Sequence, residues 1–201
     1  MQTKLVRLIL FLIVAGLIFS CSPKNISTNY YYQNAKVLDS IEENYKKLSQ
    51  RRSFTIGFSS KDFSTVSIEI ITDTLTYVYE FTYNEPRLYD TLVRYRLDAP
   101  QITRLITQMY SIRCTWIKTL DYYVNDKKNL LIFMSIKPVV RKPPFTYQRY
   151  YVLTYFQQPQ YFDSEGNLLD RRNRQRLRKI NGEIFHRIND KVAYTVSGRF
   201  R

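Results

Sequence analysis

A switch from helical to alternating spacing of apolar residues near residue 54 constrains the fold of this chain most. From residue 54 to residue 97, β-branched and aromatic residues crowd short runs in which every second position is apolar. Val66, Ile68 and Ile70 form one such run, and residues 75–83 form the next after a short polar break. Because alternate side chains of a strand point to opposite faces, these runs predict two strands joined as a hairpin, each with one buried side.

Three other segments have helical spacing. Apolar residues recur at three- and four-residue steps over residues 38–48, over residues 98–109 and over residues 170–188. In the second segment, Asp98 stands before Pro100, which is the pattern of an N-cap followed by an early helical proline. Each segment therefore predicts an amphipathic helix.

The order of these elements predicts the fold class. Further alternating runs predict strands at residues 92–97, 115–120, 130–137, 147–157 and 192–200. Gly166, inside the polar stretch 163–167, predicts a tight hairpin turn because glycine readily adopts positive φ. Strands follow one another in runs with few helices between them, so we expect an α+β fold with a mainly antiparallel sheet of about seven to nine strands and three helices packed on it.

The first twenty residues have the layout of an export signal. Lys4 and Arg7 precede an apolar run over residues 8–19, and Ser20 supplies a small residue before Cys21. As a helix the apolar run would span about 18 Å, well short of the roughly 30 Å hydrocarbon core of a bilayer. The run therefore predicts a signal peptide and not a permanent membrane span.

The residues at the end of this signal resemble a known motif. Ile18-Phe19-Ser20-Cys21 resembles the lipobox of signal-peptidase-II lipoproteins of bacteria. The resemblance implies that Cys21 is acylated and becomes the first mature residue. The expected organisation is then a signal peptide over 1–20, a tether over 21–33 and a single α+β domain over 34–201.

The same resemblance implies an address in the cell envelope. Lipoproteins with aspartate directly after the cysteine tend to stay at the inner membrane, whereas this chain has Ser22. By resemblance we expect a lipid-anchored protein of the outer membrane. Residues 22–25 contain no acidic side chain, which favours the side facing the periplasm, and exposure at the cell surface is the alternative.

Positive charge dominates the composition. The chain carries +14, and removal of Lys4 and Arg7 with the signal leaves +12, which favours anionic partners. For an exported protein these are anionic lipid, lipopolysaccharide, acidic glycan or an envelope protein, and not nucleic acid. The densest cluster has six cations within nine residues, namely Arg171, Arg172, Arg174, Arg176, Arg178 and Lys179.

The cationic cluster allows two interpretations. On the predicted helix over 170–188, Leu177, Ile180, Ile184 and Ile188 would form an apolar stripe that docks on the domain. The cations would then form an outer ridge that contacts an anion or a partner protein, because a guanidinium group can donate two parallel hydrogen bonds to a phosphate or carboxylate group. The alternative is an ordinary solvated helix face.

Tyrosine is the other excess, with 18 residues in the chain. Tyr77, Tyr79 and Tyr83 fall on one face of a predicted strand and are a candidate glycan-binding face, since aromatic rings offer flat apolar surfaces with a polar rim. The alternative is that these rings simply pack within the sheet.

Catalytic, metal and cofactor signals are weak. We predict no cofactor and no metal, because His186 is the single histidine and Cys114 is the one cysteine besides Cys21. Cys114 has apolar neighbours, so we expect a buried, inert thiol and no intramolecular disulfide.

The preferred function is a noncatalytic binding or scaffolding domain, with a glycan-binding module as the first alternative. The second is a hydrolase of envelope polymers, which requires a cleft that holds two carboxylates or His186 with an acid.

Overall fold

The computed structural model describes residues 22–124, 127–139, 148–171 and 173–198. The helices are α1 (Pro23–Arg51), α2 (Pro86–Arg94) and α3 (Ala99–Ser111). The longer strands are β1 (Phe54–Phe58), β2 (Thr65–Ile71), β3 (Thr76–Thr82), β4 (Trp116–Val124), β5 (Lys127–Pro138), β6 (Tyr150–Phe156) and β10 (Val192–Ser197). Three strands of two residues precede the last, namely β7 (Lys179–Ile180), β8 (Glu183–Ile184) and β9 (His186–Arg187).

Eight of these strands form one antiparallel sheet. Its order is β3-β2-β1-β4-β5-β6-β10-β9, and β7 and β8 form a separate two-stranded sheet. Within the described ranges the molecule thus has three helices and a mainly antiparallel sheet, which confirms the predicted α+β class. The β2–β3 hairpin predicted from the alternating runs is also confirmed.

All three helices cover one face of the sheet, which we call the front face. Leu38, Ile41 and Tyr45 of α1 are fully buried there, together with Val66, Ile68 and Ile70 of β2 and with α3. The Tyr45 hydroxyl donates a hydrogen bond of 2.5 Å to the backbone carbonyl of Phe54, which joins the helix to the first strand. Burial of this many aliphatic and aromatic side chains makes the front layer the main core.

The described residues between β6 and β9 cover the opposite face, which we call the back face, whereas β9 itself belongs to the eight-stranded sheet. Leu168 and Phe185 are fully buried in a second, smaller apolar cluster with Trp116, Phe133 and Val152 of the sheet. Because successive strand residues alternate sides, β4, β5 and β6 contribute to both clusters.

The start of α1 differs from the expected tether. Helix α1 begins at Pro23, and the Ser22 side chain caps it by accepting a hydrogen bond of 3.2 Å from the Asn25 amide. Ser27 and Tyr31 are already buried in its first turns. Residues 23–33 therefore belong to a helix and not to the expected tether, and Ile26 and Tyr30 pack against the front core beside Tyr31.

A second difference lies between β3 and α3. Residues 92–97, predicted as a strand, complete α2 and the turn that follows it. Pro86 begins this helix, and Leu88 and Leu92 are buried on one side of it, one turn apart. Arg96 has a φ of 54°, which ends the helix and turns the chain towards α3.

The predicted helix over 98–109 is confirmed as α3. The Asp98 carboxylate caps it by accepting a hydrogen bond of 3.2 Å from the Gln101 amide, and Pro100 stands in its first turn. No helix in the described part of the chain combines the length and the apolar character needed to cross a bilayer.

Candidate functional site

The cationic cluster lies in an irregular part of the back layer and not on a helix. Two local hydrogen bonds replace helical ones: Asp170 Oδ1 accepts from the Asn173 amide at 3.1 Å, and Asn173 Oδ1 accepts from the Gln175 amide at 3.1 Å. Aspartate and asparagine favour such turns over helix interiors. The predicted basic helix over 170–188 was therefore wrong, and we call residues 171–178 the arginine segment.

The second half of that predicted helix is a β-hairpin. Asn181 and Gly182 connect β7 to β8 with φ values of 50° and 81°. Positive φ at both central residues matches the twist of a two-residue hairpin, for which Asn-Gly is the preferred sequence. The expected apolar stripe is accordingly dispersed: Ile180 is buried, whereas Leu177 is 39% exposed.

Neutral groups hold the arginines of this segment. Arg171 donates to Gln158 Oε1 at 2.8 Å, and Arg178 donates to Gln160 Oε1 at 3.0 Å. The Arg174 guanidinium stacks 3.9 Å from the centroid of the Tyr161 ring. Amide oxygens and aromatic rings orient a guanidinium without neutralising it.

The charge of the arginine segment is exposed. Arg171, Arg174 and Arg176 are all exposed, and Arg172 lies outside the described residues. None of the ion pairs between described residues involves Arg171, Arg174, Arg176 or Arg178. The segment therefore presents several exposed cations that no ion pair between described residues neutralises.

Tyr122, near the end of β4, lies beside Arg178. The Arg178 guanidinium is 5.6 Å from the centroid of its ring. Burial raises the pKa of Tyr122, and the charges of Arg178 and Arg171 act against that rise. Both guanidinium groups thus converge on the same end of the sheet.

Lys179, which the sequence groups with the arginines, belongs to another surface. It lines a recess with Ser22, Lys24, Arg149 and His186, next to the start of α1. We call this the anchor recess, because Cys21 directly precedes Ser22 in the chain. Two further cations, Arg113 and Lys137, line a groove on the other side of the first turns of α1.

The predicted glycan face is largely covered. Tyr79 and Tyr83 are half-buried against the front core. The Tyr79 hydroxyl is 2.5 Å from the Tyr95 hydroxyl, and the Tyr83 ring stacks on the Tyr110 ring with centroids 4.5 Å apart. Tyr77 is more exposed, but its ring also contacts Tyr95. These contacts attach the β3 hairpin to the helical layer, through Tyr95 at the end of α2 and Tyr110 on α3.

Cys21 lies outside the described residues, whereas Cys114 is buried in the front core. Burial raises the pKa of the Cys114 thiol to about 12, and its sulfur lies 3.6 Å from the Trp116 carbonyl oxygen, to which it donates. A buried thiol with a raised pKa holds little thiolate, so this cysteine has the inert character predicted for it.

The described residues contain no group of three or more histidine, cysteine and acidic side chains arranged to hold a metal ion. His186 lies against the Tyr194 ring with centroids 5.3 Å apart. Glu183, which lines the anchor recess with it, accepts a hydrogen bond of 2.8 Å from Ser197 Oγ.

Sequence reasoning missed one cleft, between α1 and the chain around β6 and β10. Asp39 and Glu42 from α1 line it together with Tyr155 from β6. Burial raises the pKa of Glu42, and the neighbouring Lys46 acts against that rise. The spacing of Asp39 and Glu42 on a helix was visible in the sequence, but the position of Tyr155 beside them was not.

Searches against protein-family models, curated proteins and solved structures find no match to this chain.

Proposed function

We propose that the protein is a lipid-anchored, noncatalytic domain of the bacterial cell envelope that binds an acidic polysaccharide through the arginine segment. The proposal rests on the neutral contacts that orient three arginines of this segment. Side-chain amide oxygens accept hydrogen bonds from Arg171 and Arg178, and a tyrosine ring stacks on Arg174. Their charges stay available to an external anion. Guanidinium groups bind carboxylate and phosphate groups with two parallel hydrogen bonds, so an anionic chain suits them.

Acylation of Cys21, proposed from the lipobox resemblance, would hold the start of α1 close to the lipid. Ser22 already caps this helix, so a flexible tether between lipid and domain is absent from residue 22 onwards. The cations around the first turns of α1 support this orientation, since Lys24, Lys137 and Arg149 would face anionic headgroups. We propose the outer membrane, on the side facing the periplasm.

The arginine segment lies at the other end of β6 from the anchor recess. Arg149 directly precedes this strand, and Gln158 and Gln160 follow it. Its seven residues separate the two ends by about 20 Å at roughly 3.3 Å per residue. Charge interactions are screened over about 8 Å at physiological salt. The anchoring headgroups are therefore a poor partner for the arginines, which favours a polymer that reaches them from the periplasm.

The surroundings of the segment favour a polysaccharide over a protein. Stable protein interfaces have an apolar, aromatic centre surrounded by a polar rim. Among the described residues near the arginine segment, the large apolar side chains that are exposed are Leu177 and Tyr161, and the Arg174 guanidinium already stacks on Tyr161. A hydrophilic polyanion needs no such centre.

The test compares two triple variants with the same loss of charge. The first changes Arg171, Arg174 and Arg178 to glutamine, and the second changes Lys24, Lys137 and Lys179 to glutamine. Binding of the full-length protein to polygalacturonate and to lipopolysaccharide is measured by calorimetry in detergent at physiological salt. We expect the arginine variant to bind about ten- to a hundredfold more weakly and the lysine variant to bind almost normally.

Equal weakening in both variants would contradict the proposal, because it would show that net charge alone governs binding. The anchor is tested separately by intact-mass analysis of the membrane fraction. We expect the mass of residues 21–201 plus acyl chains, and a Cys21→Ser variant that is released from the membrane.

A further inference from the structure

We propose that the outer edge of β3 binds an extended protein segment in which cationic and apolar residues alternate, as an added antiparallel strand of the sheet. Strand β3 is the last strand on its side, with β2 as its only neighbour among the described strands. It is seven residues long, contains no lysine or proline, and pairs with β2 without a bulge. Lysine, proline and bulges are the features that ordinarily keep an edge strand from pairing with another chain.

Three residues of β3 direct their backbone groups away from β2. Hydrogen bonding to one neighbour alternates along an antiparallel strand. The Tyr83 amide donates to the Ser64 carbonyl at 2.7 Å, so the odd-numbered residues of β3 are those that bond to β2. The amides and carbonyls of Thr76, Val78 and Glu80 therefore point outward, and all three residues are exposed.

The turn after β3 limits the open edge to these three residues. The Thr82 amide donates to Glu85 Oε2 at 3.0 Å, and the Thr82 carbonyl accepts from the Glu85 amide at 2.9 Å. No hydrogen bond between described residues satisfies the outward groups of Thr76, Val78 and Glu80 in this way. A strand laid along β3 would bond to all of them.

Exposed apolar surface is concentrated around this edge. Tyr95, which follows α2, joins that helix to β3 through contacts with the rings of Tyr77 and Tyr79. Val78, in the middle of the edge, is 60% exposed. Most of the large apolar side chains that are exposed among the described residues belong to the β2–β3 hairpin or to α2, namely Ile71, Leu75, Tyr77, Val78, Tyr89 and Val93. Such a concentration marks an interaction surface.

The back face of the hairpin carries unpaired negative charge. Because Phe81 is buried in the front core, Glu80 and its alternate neighbours on β3 face the back. Glu69 lies opposite Val78 and is the diagonal neighbour of Glu80 on that face. Neither carboxylate takes part in an ion pair between described residues. Residues 62–86 contain no lysine or arginine, although the chain carries +14, so a cation in the added strand would be attracted here.

The geometry determines which side chains of the added strand meet each face. Directly opposite residues of an antiparallel pair point to the same face, and those opposite Thr76, Val78 and Glu80 form the hydrogen bonds. The residues that bond to β3 therefore point to the back face, where cations are favoured. The residues between them point to the front, towards the rings of Tyr77 and Tyr79, where apolar side chains are favoured.

A second copy of the chain is disfavoured as the occupant. Antiparallel pairing of β3 with β3 would place the carboxylates of both hairpins on one surface without adding a cation. It would also turn one copy end for end, so that the two anchor recesses would lie at opposite ends of the joined sheet. Two chains anchored as proposed above could not pair in this way on one membrane.

The test uses an eight-residue peptide of alternating lysine and valine with blocked ends. Its binding to the full-length protein in detergent is measured by calorimetry and by hydrogen exchange. We expect the peptide to bind and the amides of Thr76, Val78 and Glu80 to gain protection. The glutamate–valine counterpart should bind about tenfold more weakly or less tightly still, since its carboxylates would face Glu80.

Methylation of the peptide backbone tests the hydrogen bonds themselves. In the proposed pairing the lysine amides donate to β3, whereas the valine amides point away from it. Methylation of the lysine backbone nitrogens should weaken binding about tenfold or more, and methylation of the valine nitrogens should change it by less than about threefold. Equal effects of the two modifications would overturn the proposal, because they would show a charge contact without strand pairing.

Variants of the protein test the same edge. Glu80→Lys should weaken binding of the lysine–valine peptide about five- to tenfold, and Glu43→Lys on α1, with the same change in net charge, should leave it almost unchanged. Val78→Pro removes one outward amide and no bond to β2, so it should weaken binding with little change in melting temperature.

Three results would overturn the proposal. They are wild-type affinity in Glu80→Lys, no binding of the lysine–valine peptide, and self-association of the free protein that Val78→Pro abolishes. The last would identify a second copy as the occupant of the edge. None of these measurements depends on the arginine segment.

Discussion

The two faces of the central sheet are covered in different ways. On the front face, α1, α2 and α3 bury side chains at regular helical intervals, and the core there is large. On the back face, the described residues between β6 and β9 are held by a few large side chains, chiefly Leu168, Ile180 and Phe185. Short hydrogen-bonded turns between these residues shape the rest of the segment.

This difference explains where charge is tolerated. A helix docked on the sheet buries about half of its circumference, so a run of six cations in nine residues would place several of them near the core. An irregular segment attached at single points leaves the residues between those points in water. The back layer therefore carries exposed arginines at a smaller cost in stability than a docked helix would. We also expect it to open more readily than the front layer, since it has fewer buried apolar contacts.

The largest expected effect comes from Phe185→Ala. Phe185 is fully buried and packs against the Phe133 ring, with centroids 6.3 Å apart. Its removal should lower the free energy of unfolding by about 3–5 kcal/mol, measured by urea denaturation. Hydrogen exchange should accelerate most in residues 157–188, while the α1 amides stay comparatively protected.

Two further variants control this result. Leu177→Ala, in the same layer but at a residue that is 39% exposed, should change the free energy of unfolding much less than Phe185→Ala does. Leu38→Ala, fully buried in α1, should lower it by about 2–5 kcal/mol and accelerate exchange in both layers together. If Phe185→Ala also accelerated exchange throughout α1, the two layers would form one cooperative unit.

A smaller effect is expected at the turn between β7 and β8. Gly182→Ala places a Cβ at a φ of 81°, which should lower the free energy of unfolding by about 1 kcal/mol. The adjacent Asn181→Gly variant keeps positive φ accessible and should be close to neutral. Thermal unfolding of both variants tests the hairpin that replaces the predicted helix, because in a helix the glycine-to-alanine change would be stabilising.

The smallest effect concerns the turn at Asp163. Its carboxylate accepts hydrogen bonds from the Asn167 amide at 2.7 Å and from the Glu165 amide at 3.0 Å, and these hold its pKa below the ordinary value. A depressed pKa in the folded state contributes stability that is present above about pH 4 and is lost as the pH falls through the folded-state pKa. Asp163→Asn should therefore flatten the pH dependence of the melting temperature below pH 4. If the melting temperature of the variant fell below pH 4 as it does in the wild type, protonation of Asp163 would not be coupled to unfolding.

Local signals in the sequence predicted the elements whose packing follows a simple period. Helix α3 was predicted from Asp98, Pro100 and the spacing of its apolar residues, and strand β2 from its alternation. Helix α2 was missed because Leu88 and Leu92 are too few to define a period in so short a segment. Over residues 170–188, the helical spacing of isoleucines was given more weight than Asp170, Asn173 and the Asn181-Gly182 pair, which are the stronger local signals.

The amino-acid sequence by itself determined the positive charge, the α+β class and the cluster of cations, since these follow from composition and from spacing along the chain. Only the tertiary structure decided that Lys179 faces the start of α1 while Arg171 and Arg178 bind Gln158 and Gln160 beyond the end of β6. It also decided that Tyr155 meets Asp39 and Glu42 in one cleft. The physical reason is that side chains far apart in the chain are brought together by strand order and register, which depend on the packing of the whole core and not on any local pattern.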